Sequence, residues 1–305
     1  MVSAYHIPVL LNQSVEGLNI KPDGMYADLT FGGGGHAEEI LRRLSKGKLI
    51  AFDQDADVLE RVKKLQKKYP KKLVFFQANF EYFQNYLRYA GVQKIDGILA
   101  DLGVSSHQFN DAERGFSFRF DGITDMRMNQ KATKSSVDIL NTYNEDKLAY
   151  IFKTYGELKS AKKLASTIIK EREIQKIEHT EQFNRIIEKT IKTEKKNKIF
   201  AMIYQALRIE TNNEIGVLKK MLSQTAKSLK HGGRLVVLSY HSLEDRLVKN
   251  YIKFNDFDGN EQKDIYGNYE KFFKEISKKV IIPDAEEIER NNRSRSAKLR
   301  IAERI

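Results

Sequence analysis

The chain has 305 residues, 41% of them hydrophobic, and a formal net charge of +12, which is enough apolar content for one large domain and a smaller one. It contains no cysteine, which excludes a disulfide framework and a thiolate metal site, and it lacks both a signal-peptide pattern and the run of roughly 18 apolar residues that a membrane span requires. We therefore expect a soluble cytoplasmic protein, and its charge favours a polyanionic partner, although solvated lysine-rich helices would produce the same charge.

The first predicted strand, near Tyr26, is joined to a helix by four consecutive glycines at 32–35, which His36 follows. Because glycine has no Cβ, a ligand can approach the backbone and the N–H groups that open the helix. The next apolar strand, 49–52, ends at Asp53, about 20 residues after the glycines, where such folds place a carboxylate on a ribose. This pairing predicts a nucleotide-shaped pocket.

Strands and helices alternate along the next 50 residues. The pattern predicts a helix over 55–69, a strand over 73–76, a short helix over 83–90 and a strand over 95–103. Such alternation is typical of a parallel sheet with right-handed crossovers, in which ligands bind at the carboxyl ends of the strands. Asn79, Phe80 and Asp101 all fall at predicted strand ends, together with the glycines and Asp53. The sequence therefore predicts a site at the carboxyl ends of the strands.

The next strong strand, 234–240, comes only after a crossover helix at 214–229. Between the predicted strand at 95–103 and this crossover helix, 110–198 is mostly helical by pattern. Each of three helices, near 148–158, 164–169 and 183–191, carries a single apolar stripe. We therefore predict a Rossmann-like domain made of 1–109 and 199–305, with an inserted helical substrate-recognition domain at 110–198.

The predicted insert is rich in lysine and arginine and begins with a segment, 114–120, that alternates arginine with phenylalanine. In a glycine-bearing loop, Arg114 and Arg119 would neutralise phosphates while the aromatic rings stack on unpaired bases. The same alternation is equally typical of a strand with one face in the core. Both interpretations stay open at the level of sequence.

Several motifs resemble one family in their order and spacing over almost the full length. They are 6–11 (HIPVLL), the glycine turn, 96–106 (DGILADLGVSS), 111–118 (DAERGFSF), 125–128 (DMRM), 239–246 (SYHSLEDR) and 293–303. Together they are similar to the RsmH/MraW family of bacterial 16S rRNA (cytosine-N4)-methyltransferases. The chain departs from the family pattern at Gly33, Gln13 and Asn292.

The resemblance implies a class I S-adenosylmethionine-dependent methyltransferase fold of the α/β class, with a mostly parallel seven-stranded sheet and a small all-α insertion. It implies N4-methylation of one cytosine in the decoding region of 16S rRNA, with the small ribosomal subunit as partner, and leaves a homodimer open. We expect no required metal and no membrane partner. The residues that it implies for binding S-adenosylmethionine are Gly34, Gly35, His36, Asp53, Phe80, Asp101 and Gln108.

Amine methylation needs hydrogen-bond acceptors, because the lone pair of the cytosine N4 is conjugated with the ring. Hydrogen bonds from its N–H groups to acceptors reduce this conjugation. Asp101 is the candidate acceptor, although the resemblance supports a purely cofactor-binding role equally well. His241 is a candidate proton acceptor, and a structural, hydrogen-bonded histidine is the alternative. Arg293 and Arg295, near the carboxyl end, are expected to hold the RNA backbone with Arg114 and Arg119.

Two other classes of function fit parts of the sequence. The glycine turn alone would permit a nicotinamide-dependent oxidoreductase, although it lacks the ordered G-x-G-x-x-G spacing. The basic charge alone would permit an RNA-binding protein without catalytic activity. Uptake of S-adenosylmethionine, of a nicotinamide cofactor or of neither separates the three.

Overall fold

The computed structural model describes residues 8–261, 270–277 and 279–305, so His6 and Ile7 of the first family-like motif lie outside the described residues. The chain divides into two compact units. The first unit consists of the residues up to Gly103 and from Gly216 onward, and the second unit of Val104–Ile215. The predicted insert, 110–198, falls within the second unit, and its role in substrate recognition stays a prediction.

The first unit contains the strands, and helices occur in both units. The strands are β1 Met25–Asp28, β2 Lys48–Asp53, β3 Leu73–Gln77, β4 Ile95–Asp101, β5 Leu229–Ser239, β6 Phe273–Glu275 and β7 Lys298–Arg304. The helices are α1 Leu11–Gly17, α2 Gly35–Arg43, α3 Leu59–Lys68, α4 Phe83–Tyr89, α5 Ser106–Asn110, α6 Ser136–Thr142, α7 Glu145–Thr154, α8 Ala161–Ile174, α9 Thr180–Thr190, α10 Lys196–Asn212, α11 Glu214–Ser228, α12 Ser242–Phe254 and α13 Ala285–Arg290. Short 3-10 helices cover Ala56–Val58, Phe80–Tyr82, Ala112–Arg114 and Asn292–Ser296.

The seven strands form one sheet in the order β3-β2-β1-β4-β5-β7-β6. Neighbouring strands in the series β3-β2-β1-β4-β5 are parallel, and β7 is antiparallel to both β5 and β6. This confirms the predicted α/β fold with a mostly parallel seven-stranded sheet. β7 is an inner strand, because the three-residue β6 pairs with its outer side and forms that edge of the sheet.

Successive side chains of each strand in the first unit point to opposite faces of the sheet, and apolar residues on both faces form two hydrophobic cores. One face carries Tyr26, Leu49 and Leu99, which pack with apolar residues of α2 and α3. The other face carries Ala27, Ile50 and Ile98, which pack with apolar residues of α4 and α11. Because both faces are covered, β4 is buried along nearly its whole length, and its carboxyl end is held in a fixed position.

The second unit is a helical assembly around its own core. The three helices predicted from apolar stripes are α7, α8 and α9, while α10 was not predicted. Phe116, Met126 and Met128 enter the same core from the segment before α6. Among the described residues, no helix combines the length and the apolar character that a membrane crossing requires.

Candidate functional site

The glycine turn connects β1 to α2 and adopts backbone conformations that favour glycine. Gly32 and Gly34 have positive φ angles of 48° and 73°, and Gly34 precedes the first residue of α2. A Cβ on Gly34 would lie 2.9 Å from the Phe31 ring, and one on Gly35 would lie 2.1 Å from Pro8 Cγ. The expectation that these glycines clear space for a ligand is therefore incomplete, because at Gly35 the missing Cβ makes room for Pro8.

Asp53, at the end of β2, is bonded directly to the glycine turn. Its Oδ2 accepts from the Gly32 N–H at 2.8 Å, and its Oδ1 accepts from the Asp55 N–H at 2.9 Å. Burial raises the pKa of Asp53 to about 6, although its backbone hydrogen bonds favour the charged form. The turn and this carboxylate form one hydrogen-bonded unit, and the predicted ribose contact stays a proposal.

Asp101, at the end of β4, forms hydrogen bonds with Tyr240 and Thr30 and faces His36. Its Oδ1 accepts from the Tyr240 hydroxyl at 2.7 Å, and its backbone N–H donates to Thr30 Oγ1 at 2.6 Å. Its Oδ2 lies 3.8 Å from Nδ1 of His36. Burial and the charge of Asp101 raise the pKa of Tyr240 well above its ordinary value, so the tyrosine stays a hydroxyl donor at neutral pH. No local pattern around Tyr240 predicts this role.

His36 presents an acceptor to Asp101. Its side chain is buried, which lowers its pKa to about 4, so the ring is neutral at pH 7. Nε2 lies 3.2 Å from the carbonyl oxygen of Val9, and since a carbonyl only accepts, we assign the ring proton to Nε2. The lone pair of Nδ1 is then left near the Asp101 carboxylate. Two acceptors 3.8 Å apart suit a ligand group with several donor hydrogens, such as an ammonium.

Asp28, which ends β1, is a candidate site residue that the sequence analysis did not identify. Only 1% of the residue is exposed; its Oδ1 accepts from the Thr30 N–H at 3.1 Å, and its Oδ2 has no hydrogen-bond partner among the described residues. Burial raises its pKa to about 7, and the charges of Asp101 and Asp53 add to this. An unsatisfied buried acceptor is costly unless a ligand supplies a donor. Its position at a strand end, like that of Asp53, was the available signal.

The segment that packs on the glycine turn is held from the other end of the chain. The Leu10 N–H donates to Oε1 of Glu287 in α13 at 2.6 Å, and Leu10 itself has a positive φ of 48°. The same segment supplies the Val9 carbonyl to His36 and the Pro8 ring to Gly35. Glu287 is 6% exposed, so this charge-assisted bond is shielded from water. No local pattern in the sequence predicts this contact between distant residues.

His241 lies at the start of α12. Its Nδ1 accepts from the Glu244 N–H at 3.4 Å, and its Nε2 lies 3.2 Å from Oε1 of Glu244, while 7% of its side chain is exposed. The Glu244 carboxylate also accepts from the Tyr240 N–H. The Nδ1 contact favours the structural alternative, but the buried Nε2 forms no hydrogen bond with a described residue, and the role of His241 as a proton acceptor stays a prediction.

The two remaining predicted cofactor residues lie in different units. Phe80 opens the 3-10 helix after β3 and packs, half-buried, against one core of the first unit. Gln108 is buried in α5 of the second unit, where it forms a capping box with Ser105: the Ser105 N–H donates to Gln108 Oε1 at 3.0 Å. Gln108 thus has a local structural function, and both cofactor contacts stay proposals.

The predicted RNA-binding segment at 114–120 is partly used by the protein core. Arg114 is 6% exposed and donates to the backbone carbonyls of Arg127 and Met128, which argues against the predicted RNA contact for this side chain. Phe116 is buried. Phe118 packs edge-on against Tyr204 and at a tilt against Phe200, both in α10. Residues 115–120 contain no strand, so the core interpretation is right for these rings but the strand is wrong.

Arg119 is exposed in that segment and remains available to a ligand. Arg293 and Arg295 are exposed on the 3-10 helix Asn292–Ser296 of the first unit. Exposed arginines in three positions are compatible with contacts to phosphates. Their assignment to RNA stays a prediction.

Comparison with known proteins gives matches over the full length. The model of the MraW methylase family matches residues 3–305. A protein named ribosomal RNA small subunit methyltransferase H from Parabacteroides distasonis is 52% identical over 305 residues, covering 99% of this chain and 98% of that protein. The protein of the same name from Bacteroides thetaiotaomicron is 53% identical over 301 residues, with 98% and 97% covered. A solved rRNA methylase from Streptococcus thermophilus aligns over 98% of this chain and 99% of that chain at 12% identity, with a TM-score of 0.46, which is too low to inform the site.

Proposed function

Because the chain belongs to the MraW methylase family, we propose that it transfers a methyl group from S-adenosylmethionine to N4 of one cytosine in the decoding region of 16S rRNA. The family and the class I methyltransferase fold predicted from the sequence are both confirmed. The names of the relatives support the small ribosomal subunit as the partner. The observation that carries the proposal is the group of acceptors, Asp28, Asp53, Asp101 and neutral His36, around the glycine turn.

This set of groups fits S-adenosylmethionine better than a nicotinamide dinucleotide. Three carboxylates and a neutral imidazole accept hydrogen bonds, and the buried Oδ2 of Asp28 needs a donor. The ammonium and ribose hydroxyls of S-adenosylmethionine are donors, and its net charge is not repelled by the acids. A dinucleotide carries an anionic pyrophosphate, which a group of carboxylates disfavours. The oxidoreductase alternative is therefore the weaker one.

Within this proposal, the residues around the glycine turn divide the contacts with the cofactor. The bonded pair of Gly32 and Asp53 receives the ribose, and the acceptors of His36 and Asp101 hold the ammonium of the methionine part. When bound, S-adenosylmethionine would supply an activated methyl group, leaving S-adenosylhomocysteine and releasing one N4 proton, so the protein contributes mainly position and orientation.

The target amine needs an acceptor at the methyl-donor end of this site. Asp101 is our candidate and takes a second role here: its Oδ2 contacts the ammonium with His36, while Oδ1, which accepts from Tyr240, has a further lone pair for the amine. An acceptor for the amine N–H withdraws the nitrogen lone pair from conjugation with the ring and makes N4 a better nucleophile. The cytosine must be unpaired or extruded before it reaches this position, which costs a few kcal/mol. We propose no metal in this reaction and a cytoplasmic site of action.

The proposal is tested by methyl transfer from radiolabelled S-adenosylmethionine to small ribosomal subunits, free 16S rRNA and DNA, followed by nucleoside mapping. We expect label in RNA as N4-methylcytidine at one position, and loss of transfer in Asp53→Ala and Gly34→Val. Label in another nucleoside, or none in any RNA, would contradict the proposal. Binding of RNA without uptake of S-adenosylmethionine would instead favour the noncatalytic alternative. Binding of NADH, measured by calorimetry, would favour the oxidoreductase.

A further inference from the structure

A pocket opens beside Tyr240, entirely within the first unit. Its volume is about 320 Å³, and it is formed where β5 ends, where α12 begins and by the chain around α13 and the 3-10 helix Asn292–Ser296. Its walls include Tyr240, Ile282, Pro283, Ile288, Arg295 and Lys298. This size is at the lower end of the range for small-ligand sites, which suits a single nucleotide unit.

Tyr240 connects this pocket to the proposed reaction site. One face of the residue lines the pocket, while its hydroxyl donates to Oδ1 of Asp101 at 2.7 Å. A molecule in the pocket therefore lies one side chain away from the carboxylate that we assign to the target amine. An occupant connected covalently to the target base would reach both positions.

The pocket combines an apolar wall with an available positive charge. Ile282 is 63% exposed, and Pro283 and Ile288 continue the same wall. Arg295 is exposed and forms no ion pair with any described residue, whereas Lys298 is 3.2 Å from the Asp245 carboxylate, which offsets its charge. This arrangement is complementary to a ligand with one anionic group and one flat, weakly polar body.

The chain that forms these walls is firmly anchored. Ser294 and Ala297, on either side of Arg295, are 0% and 1% exposed. Ile281, next to Ile282, pairs with Leu299 of β7 through two backbone hydrogen bonds of 3.1 and 2.8 Å. The pocket is therefore preformed, which reduces the entropy cost of binding.

We propose that this pocket binds a nucleotide next to the target cytosine in a single RNA strand, with the phosphodiester at Arg295 and the base or ribose against Ile282. This inference rests on the proposed RNA substrate. It gives Arg295 a defined ligand and adds an apolar contact that net charge alone does not predict.

The test measures binding of a fluorescent single-stranded oligoribonucleotide to the full chain over a series of salt concentrations. Arg295→Gln removes the positive charge, Ile282→Ser removes the apolar contact, and Arg88→Gln is the matched control. Arg88 is exposed on α4, which follows β3 at the opposite edge of the sheet. All three side chains are exposed, so folding should be retained, and thermal unfolding checks this.

We expect Arg295→Gln to weaken binding about tenfold and to lower the slope of log K against log salt by about 0.7, as expected for one lost phosphate contact. Ile282→Ser should weaken binding about fivefold with an unchanged slope. Arg88→Gln should change neither quantity, and the affinity for S-adenosylmethionine should be the same in all four proteins.

If Arg295→Gln behaves like Arg88→Gln while the wild type methylates RNA, the pocket inference is wrong and the proposed function stands. If the wild type neither binds nor methylates RNA, the proposed function itself has failed. Binding of an acidic peptide that is lost in Arg295→Gln, with RNA binding intact, would assign the pocket to a different class of ligand and overturn the inference.

Discussion

Replacing Asp28 with asparagine should make the cofactor-free protein more stable and less able to bind its cofactor. The carboxylate is buried at the end of β1, and its Oδ2 has no hydrogen-bond partner among the described residues. Asparagine retains an oxygen that accepts from the Thr30 N–H and cannot ionise. The substitution therefore removes a buried charge while preserving the local hydrogen bond.

The magnitude follows from the shift in the pKa of Asp28 from 3.8 to about 7. Below pH 3.8 the carboxyl group is protonated in both the folded and the unfolded protein. Between pH 3.8 and about 7 only the unfolded chain ionises, so the free energy of unfolding falls as pH rises. Three pKa units correspond to about 4 kcal/mol, which is the upper limit of the stability gained by Asp28→Asn above pH 7.

The assay is urea unfolding of the cofactor-free protein at pH 4 and pH 8, followed by circular dichroism. We expect Asp28→Asn to exceed the wild type in stability at pH 8 and to equal it near pH 4. Asp23→Asn is the control, since Asp23 is exposed and its acceptor oxygen for the Lys46 N–H is kept. Calorimetry should show the affinity for S-adenosylmethionine reduced at least about tenfold in Asp28→Asn. Equal or lower stability of Asp28→Asn at pH 8 would refute the reasoning.

Two further substitutions test the neighbours of the site. Tyr240→Phe keeps the ring but removes the hydroxyl that donates to Asp101, so steady-state methyl transfer should show kcat lowered about tenfold, and an unchanged kcat would mean that Asp101 needs no such support. Gly35→Ala places a methyl group against the Pro8 ring, so urea unfolding should show a loss of about 1–3 kcal/mol, and full stability would mean that Pro8 moves without cost.

Features of the sequence that depend on local pattern were predictable. The glycine turn, the acids at strand ends and the alternation of apolar residues indicated a parallel sheet, which β1, β2 and β4 confirm. The site predicted at the carboxyl ends of these strands stays a proposal. The helices α7, α8 and α9 each have a single apolar stripe and were equally clear.

Features that depend on distant contacts were not predictable. The hydrogen bond from Leu10 to Glu287 joins residues 277 positions apart, and that from Tyr240 to Asp101 joins residues 139 apart. No periodic pattern in the sequence links the two partners of either hydrogen bond. The burial of Arg114 was also hidden, because a guanidinium that binds backbone carbonyls has the same sequence signature as one that binds phosphate.

A crystal structure of the protein with S-adenosylhomocysteine tests the central claim most directly. The account predicts that the ligand lies along the glycine turn, with its ribose hydroxyls bonded to Asp53 and its amino group between Asp101 and Nδ1 of His36. A ligand bound elsewhere, or a turn that accepts a nicotinamide dinucleotide and not S-adenosylhomocysteine, would contradict it.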